Sequence, residues 1–132
     1  MPPSTRELLD RYFSTYNDRD LEGILELVHE DLTHDVATSH REIGKRAFAR
    51  FLARKHALYD EHVYDLDLLI GLDGSHAAAE YKVLGFVRSG GGEAPAGGTY
   101  RVGAGTFFHV RDGLITRISS YGLRRELWGQ AA

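Results

Sequence analysis

The residues with the most chemical promise lie in the first quarter of the chain, RYFSTYNDRDLEGILELVHEDLTHD, from Arg11 to Asp35. Tyr12 sits on a helix-forming stretch, and a His34-Asp35 pair enters an extended segment after a second, shorter one. A phenol and a carboxylate held apart in this way suit proton abstraction beside a carbonyl. The hydroxyl holds the developing oxyanion and the carboxylate takes the proton. An aspartate does this near neutral pH only where an apolar pocket raises its pKa. Plainer readings stand beside this one. Tyr12 and Tyr16, one helical turn apart, also suit two core rings with wetted hydroxyls, and Asp35 suits a solvated loop.

Other constellations carry less. His29, Glu30 and His34 read H-E-x-x-x-H, one residue too long to set two histidines on one helical face around zinc. His40, His56, His62, His76 and His109 fall at no ligand spacing, so no metal is expected. Gly103-Ala104-Gly105-Thr106-Phe107-Phe108 only superficially resembles a dinucleotide fingerprint, because Phe108 takes the third glycine's place and a strand follows. Arg46, Arg50 and Arg54 form a basic stripe that reads as a solvated helix face. No Gly-x-Ser-x-Gly elbow is present. The net charge of -3 gives no pull toward nucleic acid or anionic membrane. No apolar run approaches the roughly 20 residues of a membrane span, and Met-Pro-Pro-Ser lacks a signal peptide's apolar core. With no cysteine there is no disulfide or thiolate nucleophile. The expectation is cofactor-free chemistry in a cytoplasmic protein.

The elements that must position these groups follow from cap signals and period. Ser4 and Glu7 form a capping box, so a helix starts near Thr5, with Leu8, Leu9, Tyr12, Phe13 and Tyr16 on its buried stripe. Asn17-Asp18-Arg19-Asp20 breaks it, and Asp20 caps a short helix carrying Leu21, Ile24, Leu25, Leu27 and Val28. Residues 32–40 read as extended or irregular. A third helix fits from about Lys45 to Asp60, burying Phe48, Phe51, Leu52, Leu58 and Tyr59. Strands are expected at Val63–Leu72, His76–Arg88, Thr99–Val110 and Leu114–Leu123, with hairpin turns at Asp73-Gly74 and Asp112-Gly113. Ser89–Gly98 is a longer, Gly-rich hairpin loop. Neither a repeat nor a linker divides residues 1–132, read as a single domain. Helices first and an antiparallel meander afterwards is an α+β layout, and helices across a curved sheet leave a conical cavity suited to an apolar small molecule.

Through HEDLTHDVATSHREIGKRAFARFL and GAGTFFHVRDGLITRISSY the chain resembles the NTF2-like superfamily of small cone-shaped (cystatin-like) proteins. That superfamily includes nuclear transport factor 2, ketosteroid isomerase and SnoaL-like polyketide cyclases, and the likeness is strongest to the ketosteroid isomerase-related branch. It implies that Tyr12 is the oxyanion donor of the first helix. The family's base is an aspartate at the end of a D-x-x-x-x-D segment, and Asp31 to Asp35 is one residue shorter. A one-residue slip reverses a strand side chain, so either a bulge brings Asp35 into the cavity or His34 points in and acts as base near neutral pH. The family's protonated aspartic acid, a known example of pKa tuning, corresponds here to Thr106, a weaker donor. The implied substrate wall is Tyr16, Phe48, Leu52 and Tyr59 from the helical side. From the strands come Tyr81, Val83, Gly85, Val102, Ala104, Thr106, Phe108, Ile118 and Ser120. The opposite parity puts Leu84, Phe86, Phe107, Ile115 and Tyr121 on an outer face, implying a homodimer. The expected activity is isomerase- or cyclase-like acid/base chemistry on a small hydrophobic carbonyl compound. The alternatives are a binding module without catalysis, or a protein-interaction domain like the transport factor.

Overall fold

The computed structural model describes residues 3–36, 40–88 and 97–122. Among the described residues, three helices, α1 (Thr5–Asn17), α2 (Leu21–Leu25) and α3 (Lys45–Leu58), pack on six strands. The strands are β1 (Val28–Val36), β2 (His40–Ile43), β3 (Tyr59–Ile70), β4 (His76–Val87), β5 (Thr99–Arg111) and β6 (Leu114–Gly122). They form one sheet in the order β2-β1-β6-β5-β4-β3. The β1–β6 pair is parallel and the others are antiparallel, so the sheet is mixed. It curves without closing, in the cone shape of the NTF2-like fold.

Local side-chain caps start the first two helices. Ser4 Oγ accepts from the Glu7 amide and Glu7 Oε1 accepts from the Ser4 amide, both at 3.1 Å. Asp20 Oδ1 accepts from the Gly23 amide at 3.0 Å and caps α2. Asn17 then pairs with both backbone groups of Val63 on the edge strand β3, at 2.8 and 3.0 Å. That bond pair pins the tyrosine-bearing helix to the sheet. Helix α3 touches β1, β2 and β3, so it bridges toward both edges of the curled sheet.

Several boundaries differ from the sequence expectations. Val28 opens β1 rather than closing α2, and Tyr59 opens β3 rather than closing α3. Leu72 lies fully exposed in the Asp73-Gly74 turn. Asp112 and Gly113 both take positive φ (53° and 76°), as a two-residue hairpin turn requires. Ile115 is not on the outer face: its exposure is 0%. The β5–β6 register shifts between His109 and Val110, which reverses the facing of the residues beyond. Leu84, Phe86, Phe107 and Tyr121 do stand on the exposed side. Most of the expected Ser89–Gly98 loop, residues 37–39 and Leu123 lie outside the described residues. Among the described residues, no helix is long and apolar enough to cross a membrane.

Candidate active site

A cavity of about 610 Å³ fills the cone between the helices and the concave face of the sheet. Tyr12, Tyr16, Phe48, Leu52, Tyr59, Tyr81, Val83, Val102, Thr106, Ile118 and Ser120 all line it, together with His34. Phe108 is a correction. It is completely buried, with ring centroids 5.5 Å from Tyr12 and 6.0 Å from Phe13, and belongs to the packed core beneath the cavity.

The His34-Asp35 alternative has a definite geometry. Strand β1 is irregular between Val28 and Thr33, after which its pairing with β6 becomes regular. This sets Leu32 and His34 on the buried parity. The His34 ring packs at 4.9 Å from Phe48 and 4.6 Å from Phe51. Asp35 borders the cavity, but its carboxylate is committed elsewhere. It accepts from Arg41 Nε at 2.6 Å, Ser119 Oγ at 2.7 Å and Arg117 Nη2 at 2.9 Å. The Arg41 bond above all holds the carboxyl far below the usual carboxylate range, against the upward push of burial. A general base poised near neutrality needs the opposite shift. Asp35 is a clip that ties β1, β2 and β6 together.

His34 has the setting that Asp35 lacks. Burial lowers its pKa below the ordinary histidine value, partly opposed by Glu42, its direct partner across β2. Nδ1 of His34 lies 3.9 Å from Glu42 Oε1, and both atoms are buried without a hydrogen-bond partner. That gap is too long for a hydrogen bond. Closing it by about 1 Å would put the proton on Nδ1 and leave Nε2 as the acceptor, the usual consequence of a carboxylate behind a histidine. Catalytic hydrogen bonds of unliganded sites are often long in this way.

Tyr12 comes from the α1 stripe. Its ring makes edge contacts with Phe13 at 5.2 Å and with Phe108. Burial raises its phenol pKa well above the ordinary value, with Tyr81 and Tyr16 adding to the shift. Tyr12 is therefore a neutral donor, and its hydroxyl has no hydrogen-bond partner among the described residues. On the sheet side, Tyr81 Oη lies 2.7 Å from Thr106 Oγ1, which lies 3.0 Å from Ser120 Oγ. This chain of three hydroxyls crosses β4, β5 and β6 along the cavity wall.

The sequence reading missed a polar cluster in the same cavity. Glu61, only 7% exposed, accepts from Tyr16 Oη at 2.8 Å and from the Tyr100 hydroxyl, and forms an ion pair with Lys55 Nζ at 3.1 Å. Gly85 makes this possible. It pairs with Glu61 on one side and Tyr100 on the other, and a β-carbon there would fall inside the Tyr100 ring. The signal was parity: Glu61 stands two residues before Val63, on the inward face of β3. Extending α3 to Asp60 hid it. Glu42 escaped notice because β2 has only four residues. Among the described residues, no three His, Asp or Glu side chains gather as metal ligands.

Comparison with known proteins shows what the chain as a whole is similar to. Residues 9–118 match the model of the SnoaL-like domain. A structure of a candidate polyketide cyclase from Xanthomonas campestris pv. campestris is 35% identical, covering 97% of this chain and 96% of its own, with a TM-score of 0.89. Another from Silicibacter sp. is 34% identical over 98% of this chain and 96% of its own, with a TM-score of 0.90. A candidate ketosteroid isomerase from Kribbella flavida is 26% identical over 89% and 76%, with a TM-score of 0.66. No curated protein sequence matches the chain significantly.

Proposed function

The chain belongs to the SnoaL-like domain family, and on that premise we propose that it is an isomerase- or cyclase-like enzyme. It moves a proton beside the carbonyl of a small hydrophobic compound, without a cofactor. His34 is the general base. Its Nε2 takes the α-proton and the electron pair shifts onto the carbonyl oxygen as an enolate. Glu42 orients the ring and stabilises the imidazolium that results. Tyr12 donates to the enolate oxygen inside a cavity lined mostly by apolar and aromatic side chains, where each hydrogen bond is worth more than in water. An enolate conjugated with a neighbouring carbon–carbon double bond takes the proton back at the far end of that system, moving the double bond; otherwise its α-carbon attacks a second carbonyl and closes a ring, and the resulting alkoxide takes the proton. In both outcomes the proton leaves His34 at the end. The reading accords with the candidate polyketide cyclase and candidate ketosteroid isomerase names of the similar structures above.

The observation that carries the reading is a buried, neutral imidazole backed by a carboxylate, in the same cavity as an unpartnered phenol. The test is α-hydrogen exchange in D2O with a panel of hydrophobic ketones and 1,3-diketones, followed by NMR. The wild type should catalyse exchange of at least one of them. His34→Gln should slow it about 100-fold or more, and Tyr12→Phe by about 100- to 1,000-fold. Exchange that survives both substitutions within a few-fold excludes the mechanism. A second reading, binding without chemistry, draws on Thr106. Its hydroxyl is already engaged by Tyr81 and Ser120 where an isomerase has a carboxylic acid. That reading predicts bound ketones recovered with no deuterium.

A further inference from the structure

Resting on the enolisation reading, we propose that Lys55 is the residue that selects the substrate. The substrate is then an uncharged hydrophobic compound with a second oxygen function, a carbonyl or hydroxyl, besides the carbonyl at which the proton moves. Lys55 lines the cavity and is fixed there from two directions. Its Nζ lies 3.1 Å from Glu61 Oε1, and it stands 5.5 Å over the Tyr16 ring and 5.9 Å over the Phe51 ring. Two aromatic faces and a carboxylate hold the ammonium in place. An ammonium carries three N–H donors. The ion pair with Glu61 engages the ammonium on one side, and among the described residues no other acceptor is bonded to it. The remaining donors are available to a cavity occupant.

The surroundings say what kind of oxygen fits. Tyr16 and Tyr100 occupy Glu61 from its other sides, so this carboxylate anchors Lys55 and is not offered as a second base. The Lys55–Glu61 pair is internally neutral. A carboxylate bound at Lys55 would sit beside Glu61, and like charges in a sheltered site oppose one another. A carbonyl or hydroxyl oxygen accepts the same N–H without that penalty. Both polar points border one ring: Phe51 packs against His34 at 4.6 Å and lies under Lys55. A cyclic body spanning Phe51 therefore presents one oxygen to Tyr12 and His34 and another to Lys55.

The experiment is calorimetric binding of three uncharged or acidic probes on one rigid skeleton: a perhydrophenanthrene monoketone, the series of its diketones, and the corresponding keto acid. The best diketone should bind the wild type about tenfold or more tighter than the monoketone, the scale of a hydrogen bond from a charged donor. The keto acid should show no gain over the diketone. Lys55→Arg should keep the preference. The double variant Lys55→Met/Glu61→Gln, which leaves no orphaned charge, should lose it while retaining monoketone affinity. His34→Gln should keep the preference while losing exchange, so selectivity and chemistry are read separately. Equal binding of monoketone and diketones by the wild type, no binding of either, or tighter binding of the keto acid overturns the assignment. So does a preference that persists in the double variant.

Discussion

Asp35→Asn separates the two candidate bases most cleanly. The wild-type carboxylate is 13% exposed and takes hydrogen bonds from Arg41, Arg117 and Ser119. A net bond to a charged group is worth about 1.5–3 kcal/mol, but solvent screens much of this pair, since Arg41 is 56% and Arg117 38% exposed. Asparagine also keeps one acceptor. The expected loss is therefore about 2 kcal/mol in all, well short of the cost of breaking a fully buried pair. For a chain of 132 residues that lowers Tm by about 5–10 °C. The assays are thermal unfolding at pH 7 and deuterium exchange at a temperature where the variant is fully folded. Exchange should stay within about threefold of wild type, because this carboxylate does not touch the reacting proton. A folded Asp35→Asn protein that loses about 100-fold or more in exchange, with Tm unchanged, refutes the argument and returns Asp35 to the role of base.

Two further predictions concern the scaffold. Gly85→Ala should destabilise by about 2–4 kcal/mol in thermal or urea unfolding, since the new methyl displaces the Tyr100 ring and breaks its bond to Glu61. In a Tyr100→Ala background the same substitution should cost almost nothing, and equal costs in both backgrounds contradict the packing described. Acid stability should fall in two stages. Burial lowers the pKa values of His34, His56 and His109 below 6.5, so the unfolded chain binds more protons there and stability declines as pH drops below about 6.5. Asp35 keeps its contribution down to about pH 3.8 and loses it only as pH falls through its lower folded value. Urea unfolding followed from pH 8 down to the strongly acidic range below pH 3 checks both stages, and His34→Gln should flatten the first.

Much of the fold was legible because its signals are local. The Ser4–Glu7 box, the Asp20 cap and the Asp-Gly turns each act within four residues, while the wall residues of β4 and β5 were named from the strand parity that the family resemblance implies. What escaped depends on long-range pairing. No local feature distinguishes the irregular stretch between Val28 and Thr33, yet it decides that His34 rather than Asp35 offers its ring to the cavity. The β6 register shift that buries Ile115 is of the same kind. Glu61 was hidden by an overlong helix, and the cluster it organises draws on α1, α3, β3 and β5, which only the tertiary fold brings together.

The central claim is that a neutral His34 removes the proton, and one paired measurement reaches it directly. The His34 imidazole is titrated by 15N NMR while the exchange rate is followed across the same pH range. A base of this kind has its midpoint below 6.5, coinciding with the acid limb of the rate profile. An imidazole that titrates at or above 6.5, or a rate profile indifferent to its protonation, would contradict the claim.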